Sequence, residues 1–241
     1  MESNARFGAG HKSQNPRKLP MQIVAGRFRH RKLQSNPGQT TRPITQRVKV
    51  SLFDRLQPLL QDARVADIFS GTGTIGLEAL SRGAKSVVFI ERDHEAFDLL
   101  RQNVKSLGVE DETVCWKTDA SKSSFRPQKA EGFLPFDVIF FDPPYLHIER
   151  MQAGTMIYKS LLRLAKPDIS APDVLLVLRC GRGTEFDMPP VWKREELLEY
   201  SSMDVHLYRH APPLEGGPVE HETEDDLAEQ AAPESPATDA E

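Results

Sequence analysis

The sequence predicts an α/β fold with a doubly wound, mainly parallel sheet, preceded by a small basic hairpin. Strand-like apolar segments alternate with amphipathic helical segments between residues 64 and 180, as they do in such sheets. A glycine-rich turn follows the first of these strands. Acidic residues stand at or just beyond the ends of four predicted strands, and sheets of this kind bind ligands at the carboxyl ends of strands. Those residues are Asp67, Glu91, Asp119 and Asp142.

The charge of the chain is concentrated at its two ends. Residues 1–50 hold eleven Lys and Arg against one acid, whereas residues 213–241 hold ten acids and no Lys or Arg. A basic front on a globular body favours a polyanionic partner such as nucleic acid, although it also fits a solvated surface. We therefore divide the chain into a disordered basic extension (1–20), a basic hairpin and loop (21–44), an α/β domain (45–212) and a disordered acidic tail (213–241).

The composition also argues against several classes of protein. No apolar run approaches the roughly 18 residues that span a membrane, and the polar N-terminus lacks the apolar core of a signal peptide. Cys115 and Cys180 lie in strand-like segments, where we expect buried thiols rather than a disulfide, and no metal-ligand spacing is present. These features predict a cytoplasmic protein without a bound metal.

The basic hairpin is predicted over residues 21–34, with Gly26 at a bend. Arg27, Arg29 and Arg31 alternate along the chain, which in a strand places three guanidinium groups on one face. Such a face would bind phosphates, or it would only keep an edge strand in solvent.

A turn-rich loop over residues 36–43 leads into a helix predicted from Thr45, its N-cap, to Gln57. Arg42 and Arg47 flank the start of this helix, from where they could reach a substrate. Ordinary surface charge explains both arginines equally well.

The remaining elements form the alternating series of the sheet. The helices are predicted at residues 74–82, from the N-cap Asp93 to Leu107, and near residues 148–165. The strands are predicted at residues 64–69, 86–90, 114–116, 136–141, 173–180 and 205–209.

The turn at residues 71–76, Gly-Thr-Gly-Thr-Ile-Gly, matches the fingerprint of proteins that bind an adenosine-containing cofactor. Its glycines allow a close backbone approach, and Glu91 at the end of the next strand can accept hydrogen bonds from both ribose hydroxyls. NAD and S-adenosylmethionine share these requirements. Asp67 favours the second, because a carboxylate before the turn repels a pyrophosphate and attracts the ammonium of a methionine moiety. Asp119 could accept a hydrogen bond from the adenine amine.

The tetrapeptide Asp142-Pro143-Pro144-Tyr145 follows the fourth predicted strand. Its two prolines keep the backbone extended and remove two N–H donors, so that the loop offers carbonyl oxygens, a carboxylate and an aromatic ring. This set suits a planar exocyclic amine, with two acceptors for its N–H groups and a ring on which the base can stack. A surface Pro-Pro turn with an incidental aspartate is the alternative interpretation.

Taken together, these motifs resemble those of a known family. The segment from Asp67 to Ala84 resembles motif I of class I methyltransferases, and it is especially similar to bacterial enzymes that methylate the N2 amine of one guanine in 16S ribosomal RNA. Segments 26–33, 41–53 and 142–145 follow that family's order. The resemblance implies a Rossmann-like class I methyltransferase domain over residues 45–212. It also implies S-adenosylmethionine as cofactor, 16S rRNA or the small ribosomal subunit as partner, and a monomer.

The resemblance also implies roles for individual residues. The catalytic target-base site would comprise Asp142, Pro143, Pro144 and Tyr145, and the cofactor site would comprise Asp67, Phe69, Gly71, Gly73, Glu91 and Asp119. The arginines predicted to contact RNA are Arg27, Arg29, Arg31, Arg42 and Arg47. Two positions depart from the family pattern. Arg179 stands where a glutamate is expected at the end of the fifth strand, and Tyr200-Ser201-Ser202 replaces Tyr-Gly.

Three other functions stay open at this point. The Asp-Pro-Pro-Tyr chemistry also suits an adenine-N6 methyltransferase acting on DNA or RNA, although no separate target-recognition domain is visible. A second is an RNA-binding assembly factor with vestigial catalysis, against which the intact motifs argue. An NAD oxidoreductase is the weakest of the three, because no catalytic acid–base pair stands out.

Overall fold

A computed structural model of the chain describes residues 21–35, 44–128 and 130–211. The predicted extension (1–20), the acidic tail (213–241) and Arg42 lie outside these residues. The helices are α1 (Gln46–Leu60), α2 (Thr74–Ser81), α3 (His94–Leu107), α4 (Tyr145–Glu149) and α5 (Met156–Leu164), with a 3-10 turn at Glu110–Glu112. The strands are β1 (Arg64–Ile68), β2 (Ser86–Glu91), β3 (Thr113–Lys117), β4 (Phe136–Phe141), β5 (Ser170–Gly181), β6 (Trp192–Glu199) and β7 (Met203–His210).

The strands form one seven-stranded sheet in the order β3-β2-β1-β4-β5-β7-β6. Strands β1 to β5 pair in parallel, whereas β7 is antiparallel to both of its neighbours, β5 and β6. The predicted α/β fold with a mainly parallel sheet is therefore confirmed. No helix in the described ranges is both long and apolar enough to cross a membrane.

Two element predictions need correction. Strand β6 was not predicted, because its sequence is largely charged and most of its residues lie at the solvent-exposed edge of the sheet. The helix predicted near residues 148–165 is two helices, α4 and α5. Gly154 has a left-handed φ of 89° between them, and the Thr155 side chain caps α5 by accepting a hydrogen bond from the Tyr158 N–H. The chain therefore restarts a helix there rather than continuing one.

Apolar side chains bury both faces of the sheet. One face carries Val65, Phe89, Phe140 and Val177 and packs on α1, α2 and α3, while the other packs on α5. Because side chains alternate along a strand, Asp67 shares the first face with Val65, and Arg179 shares it with Val177. Continuing the alternation beyond β4 places Asp142 on that face too.

The segment at residues 21–35 is not a pair of strands. Gln22 and Lys32 form an isolated antiparallel bridge, and residues 25–30 form bends and turns between them. The prediction that three arginines share one strand face is therefore wrong, because that alternation requires an extended chain. Gly26, which was predicted at a bend, has a φ of 80°, and a Cβ there would lie 1.8 Å from the Ser81 carbonyl oxygen. Only glycine fits this close contact.

A cluster of charged side chains, here called the Glu78 cluster, fastens this segment to the domain. Glu78 is fully buried, and its two carboxylate oxygens accept from the backbone N–H groups of Val24 (2.8 Å) and Ala25 (3.0 Å). The same oxygens contact Lys49 Nζ at 3.2 Å and Arg82 Nε at 3.0 Å. All of the roughly four acceptor positions of the carboxylate are thereby used.

Candidate active site

The predicted amine-binding loop begins where β4 ends, beside the end of β1. The backbone N–H of Asp142 donates to the carbonyl of Ile68 at 3.3 Å, so this loop and the chain entering the glycine-rich turn are joined by a hydrogen bond. Pro143 is buried, Pro144 is exposed, and Tyr145 begins helix α4. Among the hydrogen bonds of the described residues, none uses the Pro143 carbonyl. That oxygen is available as an acceptor.

The carboxylate of Asp142 is paired with a residue that was not predicted as part of the site. Arg179 Nε donates to Asp142 Oδ1 at 2.7 Å, and Arg179 Nη2 donates to Oδ2. The two side chains are 14% and 21% exposed, so the pair is largely shielded from water. Burial works to lower the pKa of Arg179, but the Asp142 carboxylate, together with Tyr145 and Asp67, outweighs it, so that this pKa lies above its ordinary value.

In the sequence, Arg179 stands out only as a departure from a family pattern. Its partner is 37 positions away in the sequence. The signal that could have found it was a charged residue in the otherwise apolar strand β5, beyond Val174-Leu175-Leu176-Val177-Leu178. Buried charges are normally paired, and the nearest strand end in the sheet order belongs to β4.

The aromatic ring of Tyr145 lies against the end of β5. The residue is half-buried, and a Cβ added at Gly181 would lie 3.6 Å from its Cδ2. A Cβ at position 181 would therefore be in ordinary van der Waals contact with the ring. The stacking of a target base on Tyr145 stays a prediction.

Asp67 lies underneath the glycine-rich turn rather than at its surface. It is 1% exposed, and its Oδ2 accepts from the backbone N–H of Gly76 at 2.8 Å, within the first turn of α2. Burial raises the pKa of Asp67 to about 8, and the nearby Asp142 carboxylate adds to that increase. In this structure the group is thus mostly protonated at neutral pH, whereas we predicted a carboxylate that attracts an ammonium. Its role toward a ligand stays a prediction.

Glu91, at the end of β2, holds the turn from the other side. Its Oε2 accepts from the Gly71 N–H at 2.7 Å, and its Oε1 accepts from the N–H groups of Arg92 (2.8 Å) and Asp93 (2.7 Å). Three of its roughly four acceptor positions are therefore filled. Two hydrogen bonds from a ribose would require Glu91 to share an acceptor position or to exchange one of these contacts.

The backbone of the turn is left-handed at three of its positions. Phe69, Gly71 and Gly73 have φ angles of 64°, 55° and 81°. Phe69 is a bulky residue, for which this conformation is strained, and such strain concentrates at ligand sites. Its ring contacts Phe141 edge-on, with centroids 5.4 Å apart. A Cβ at Gly71 would meet no atom within 4 Å, so the turn has open space on that side.

Asp119 follows β3 and lies half-buried at the same edge as Glu91. Its Oδ1 accepts from the Ser121 N–H at 2.9 Å, and its Oδ2 contacts Arg92 Nη1 at 3.2 Å. Burial works to raise the pKa of Asp119, but the hydrogen bonds from Ser121 and the Arg92 charge lower it overall. It is therefore an ionised acceptor at neutral pH.

The structure does not bring the predicted RNA-binding arginines of residues 21–35 to this edge. Arg27 contacts Glu112, which directly precedes β3, and Arg31 donates to the Ser106 carbonyl in the last turn of α3. Both partners belong to the amino-terminal edge of the parallel strands. Arg29 and Arg47 are exposed. Contact of these arginines with RNA stays a prediction.

Comparisons with known proteins agree with this arrangement. A family described as "Conserved hypothetical protein 95" matches residues 21–209. A protein named "Ribosomal RNA small subunit methyltransferase D" from Haemophilus influenzae is 36% identical over 78% of this chain and 92% of its own length. Among solved structures, "Putative methyltransferase yhhF from Escherichia coli" is 25% identical, with a TM-score of 0.62 over 80% of this chain and 98% of that one.

A third comparison concerns the fold alone. The structure of an RNA methyltransferase from Salinibacter ruber, solved in complex with S-adenosyl-L-homocysteine, is 18% identical to this chain and has a TM-score of 0.53. It covers 72% of this chain and 96% of its own. The sheet described above is thus the class I methyltransferase fold that the sequence predicted.

Proposed function

Because the chain belongs to the conserved hypothetical protein 95 family, with a ribosomal RNA small subunit methyltransferase D as relative, we propose that it methylates the exocyclic N2 amine of a guanine in 16S ribosomal RNA. The enzyme is an S-adenosylmethionine-dependent rRNA methyltransferase. The observation that supports this proposal best is the hydrogen bond from the backbone N–H of Asp142 to the Ile68 carbonyl, because it joins the Asp-Pro-Pro-Tyr loop to the chain that enters the glycine-rich turn.

The amine chemistry follows from two acceptors of the loop. The N2 lone pair of guanine is delocalised into the ring, so the free amine is a weak nucleophile. If the Asp142 carboxylate and the Pro143 carbonyl accept its two N–H groups, the nitrogen is held pyramidal with its lone pair exposed. These hydrogen bonds strengthen as positive charge develops on the nitrogen, and they therefore stabilise the transition state more than the bound substrate.

The methyl transfer itself is a substitution at carbon. When S-adenosylmethionine is bound, it would supply an electrophilic methyl group to N2: the C–N bond would form as the C–S bond breaks, and the electron pair of that bond would stay on sulfur. The nitrogen would then release one proton. Because the sulfonium is a good leaving group, positioning of the amine supplies much of the rate.

The residues at this edge fit S-adenosylmethionine, which supplies an electrophilic methyl group when it is bound. Glu91 and Asp119 are acceptors at neighbouring strand ends, suited to the ribose hydroxyls and the adenine amine. The open space at Gly71 leaves the backbone of the turn accessible. The Ser70 hydroxyl is buried and makes no hydrogen bond within the described residues, so it could bond a ligand held on the turn.

The RNA partner must present its base outside a helix. The amine of a paired guanine is inaccessible, so the base is flipped out or already unpaired when it enters the site. Tyr145 would then stack on it, and exposed arginines, Arg29 and Arg47 among them, would contact phosphates. The proposal includes a monomeric enzyme that acts in the cytoplasm, where ribosomal RNA is assembled into subunits.

The test is a methylation assay on unmodified ribosomal RNA and on small subunits, with labelled S-adenosylmethionine and identification of the modified nucleoside by mass spectrometry. We expect N2-methylguanosine. Asp142→Ala should abolish transfer while S-adenosylmethionine binding, measured by calorimetry, changes little. Asp111→Ala, which removes an exposed acid at the opposite edge, is the matched control and should keep full activity.

Two outcomes would contradict the proposal. Formation of N6-methyladenosine would move the enzyme to the adenine class, since the same acceptors suit that amine. Near-normal turnover by Asp142→Ala would remove the loop from catalysis altogether.

A further inference from the structure

We propose that Arg179 is a positioning residue, which holds the Asp142 carboxylate in one orientation for the target amine. The inference rests on the proposed function, because it assigns Arg179 a role through the amine-binding carboxylate. It adds a residue that neither the predicted site nor the chemistry of the Asp-Pro-Pro-Tyr loop includes.

The geometry of the pair fixes the orientation of the Asp142 carboxylate. Arg179 Nε and Nη2 each donate to a different oxygen of Asp142, so the planar guanidinium and the carboxylate are held by two parallel hydrogen bonds. Such a fork fixes the plane of the carboxylate, which a point charge such as lysine does not do. Without it, the Asp142 side chain, just beyond the end of β4, would not be held in one rotamer.

Arg179 is itself held by the strand that carries it. Its backbone pairs with Val205 of β7, and its Nη1 lies 4.0 Å from the Met203 sulfur. The arginine thus comes from the sheet rather than from a loop, and sites built on sheet elements are more precisely positioned. The position of the amine-binding carboxylate is thereby set by the register of β5 against β4 and β7.

The charges around the pair favour a cation beside Asp142. Asp67 on β1 and Tyr145 on α4 interact with Arg179, Glu91 on β2 interacts with Asp67, and Met203 of β7 is uncharged. Asp142 disfavours the ionisation of Asp67, whereas Arg179 favours it. Arg179 therefore offsets the mutual repulsion of carboxylates that the parallel strands bring to one edge.

This pairing changes what Asp142 does in the reaction. Two of its roughly four acceptor positions are taken by the guanidinium, and the others are left for an N–H of the amine. Asp142 thus works as a hydrogen-bond acceptor that orients the amine. After the C–N bond has formed and the C–S bond has broken, the proton of the cationic nitrogen passes to water.

The experiment compares Arg179→Met and Arg179→Lys with the wild type, all as the full-length enzyme. We expect the methionine variant to lose about 10- to 100-fold in kcat at neutral pH, with little change in the KM for S-adenosylmethionine. The lysine variant should recover only part of kcat, since it restores the charge and not the fork.

A matched control is Arg182→Met, which removes an exposed arginine three residues further on and should leave both parameters unchanged. Calorimetric binding of S-adenosylhomocysteine and a thermal unfolding curve establish that each variant is folded. If the methionine variant does not fold, the lysine variant alone decides, because a wild-type kcat in it would exclude the fork.

Two results would overturn the inference. The first is a methionine variant with wild-type kcat. The second is a lysine variant with wild-type kcat, since lysine restores the charge without the two parallel hydrogen bonds. Failure of the proposed function is recognised separately, by turnover in Asp142→Ala or by a different methylated nucleoside made by the wild-type enzyme.

Discussion

The Glu78 cluster and the Asp142–Arg179 pair are two groups of buried charges on the same face of the sheet, and they differ in how fully their acceptors are used. Glu78 is 0% exposed and has a donor at every acceptor position, two from the backbone and two from cations. Asp142 is partly exposed and has two donors, both from one arginine.

The difference separates a structural role from a functional one. A carboxylate whose acceptor positions are all filled within the protein cannot bind anything else, and it can only hold elements together. Glu78 accordingly joins α2 to α1 and to residues 24 and 25. A carboxylate that is oriented by one partner and still has acceptor positions to spare is suited to a substrate. Loss of Glu78 should therefore reduce stability, whereas loss of Asp142 should reduce activity.

The largest expected effect is the loss of Glu78. Glu78→Ala would leave Lys49 and Arg82 buried without their carboxylate, and removing one partner of a buried ion pair costs about 3–5 kcal/mol. The free energy of unfolding, measured by urea denaturation, should fall by that amount. The matched control is Asp54→Ala, which removes a 63% exposed partner of Arg82 and should cost about 1 kcal/mol or less. Equal losses in the two variants would contradict the comparison.

A smaller effect is expected at Asp67, as a change in pH dependence. The unfolded chain loses this proton near the ordinary pKa of 3.8, whereas burial raises the pKa of Asp67 in the folded protein to about 8. Between these values the folded state binds more protons, so the wild-type free energy of unfolding should decrease as pH rises. The slope from this group is at most about 1.4 kcal/mol per pH unit.

Asp67→Asn tests this expectation. The amide cannot ionise but keeps an acceptor for the Gly76 N–H, so the variant should show a flatter stability profile between about pH 4 and pH 8. Denaturation curves at several pH values measure it. A profile parallel to that of the wild type would mean that Asp67 is ionised in the folded protein.

The smallest expected effect concerns the exposed arginines of residues 21–35. Arg27 and Arg31 already contact the domain, whereas Arg29 makes no side-chain hydrogen bond or ion pair with the described part of the chain. Arg29→Gln should therefore leave stability unchanged and reduce the salt dependence of RNA affinity by about one phosphate contact, a change of about 0.7–0.9 in the log–log slope. Lys166→Gln, on the opposite face of the sheet, is the control. An unaltered slope in Arg29→Gln would make this arginine ordinary surface charge.

Local sequence patterns were sufficient to predict most of the fold. The alternation of apolar strands and amphipathic helices predicted the parallel strands, because their periodicity is a property of the chain itself. The N-caps Thr45 and Asp93 were predicted correctly for the same reason, since their side chains bond to N–H groups three residues on. Patterns failed where an element is charged or bent, as in β6 and in residues 25–30.

The sequence by itself determined that acidic residues, a glycine-rich turn and the Asp-Pro-Pro-Tyr loop meet at one edge, because the carboxyl ends of parallel strands in βαβ units share an edge. Only the tertiary structure decided how these groups act on one another. The register of β4 with β5 pairs Asp142 with Arg179, and the depth of Asp67 beneath the turn raises its pKa. Pairing and desolvation depend on distances between segments that are far apart in the chain. A local pattern of residues contains no information about those distances.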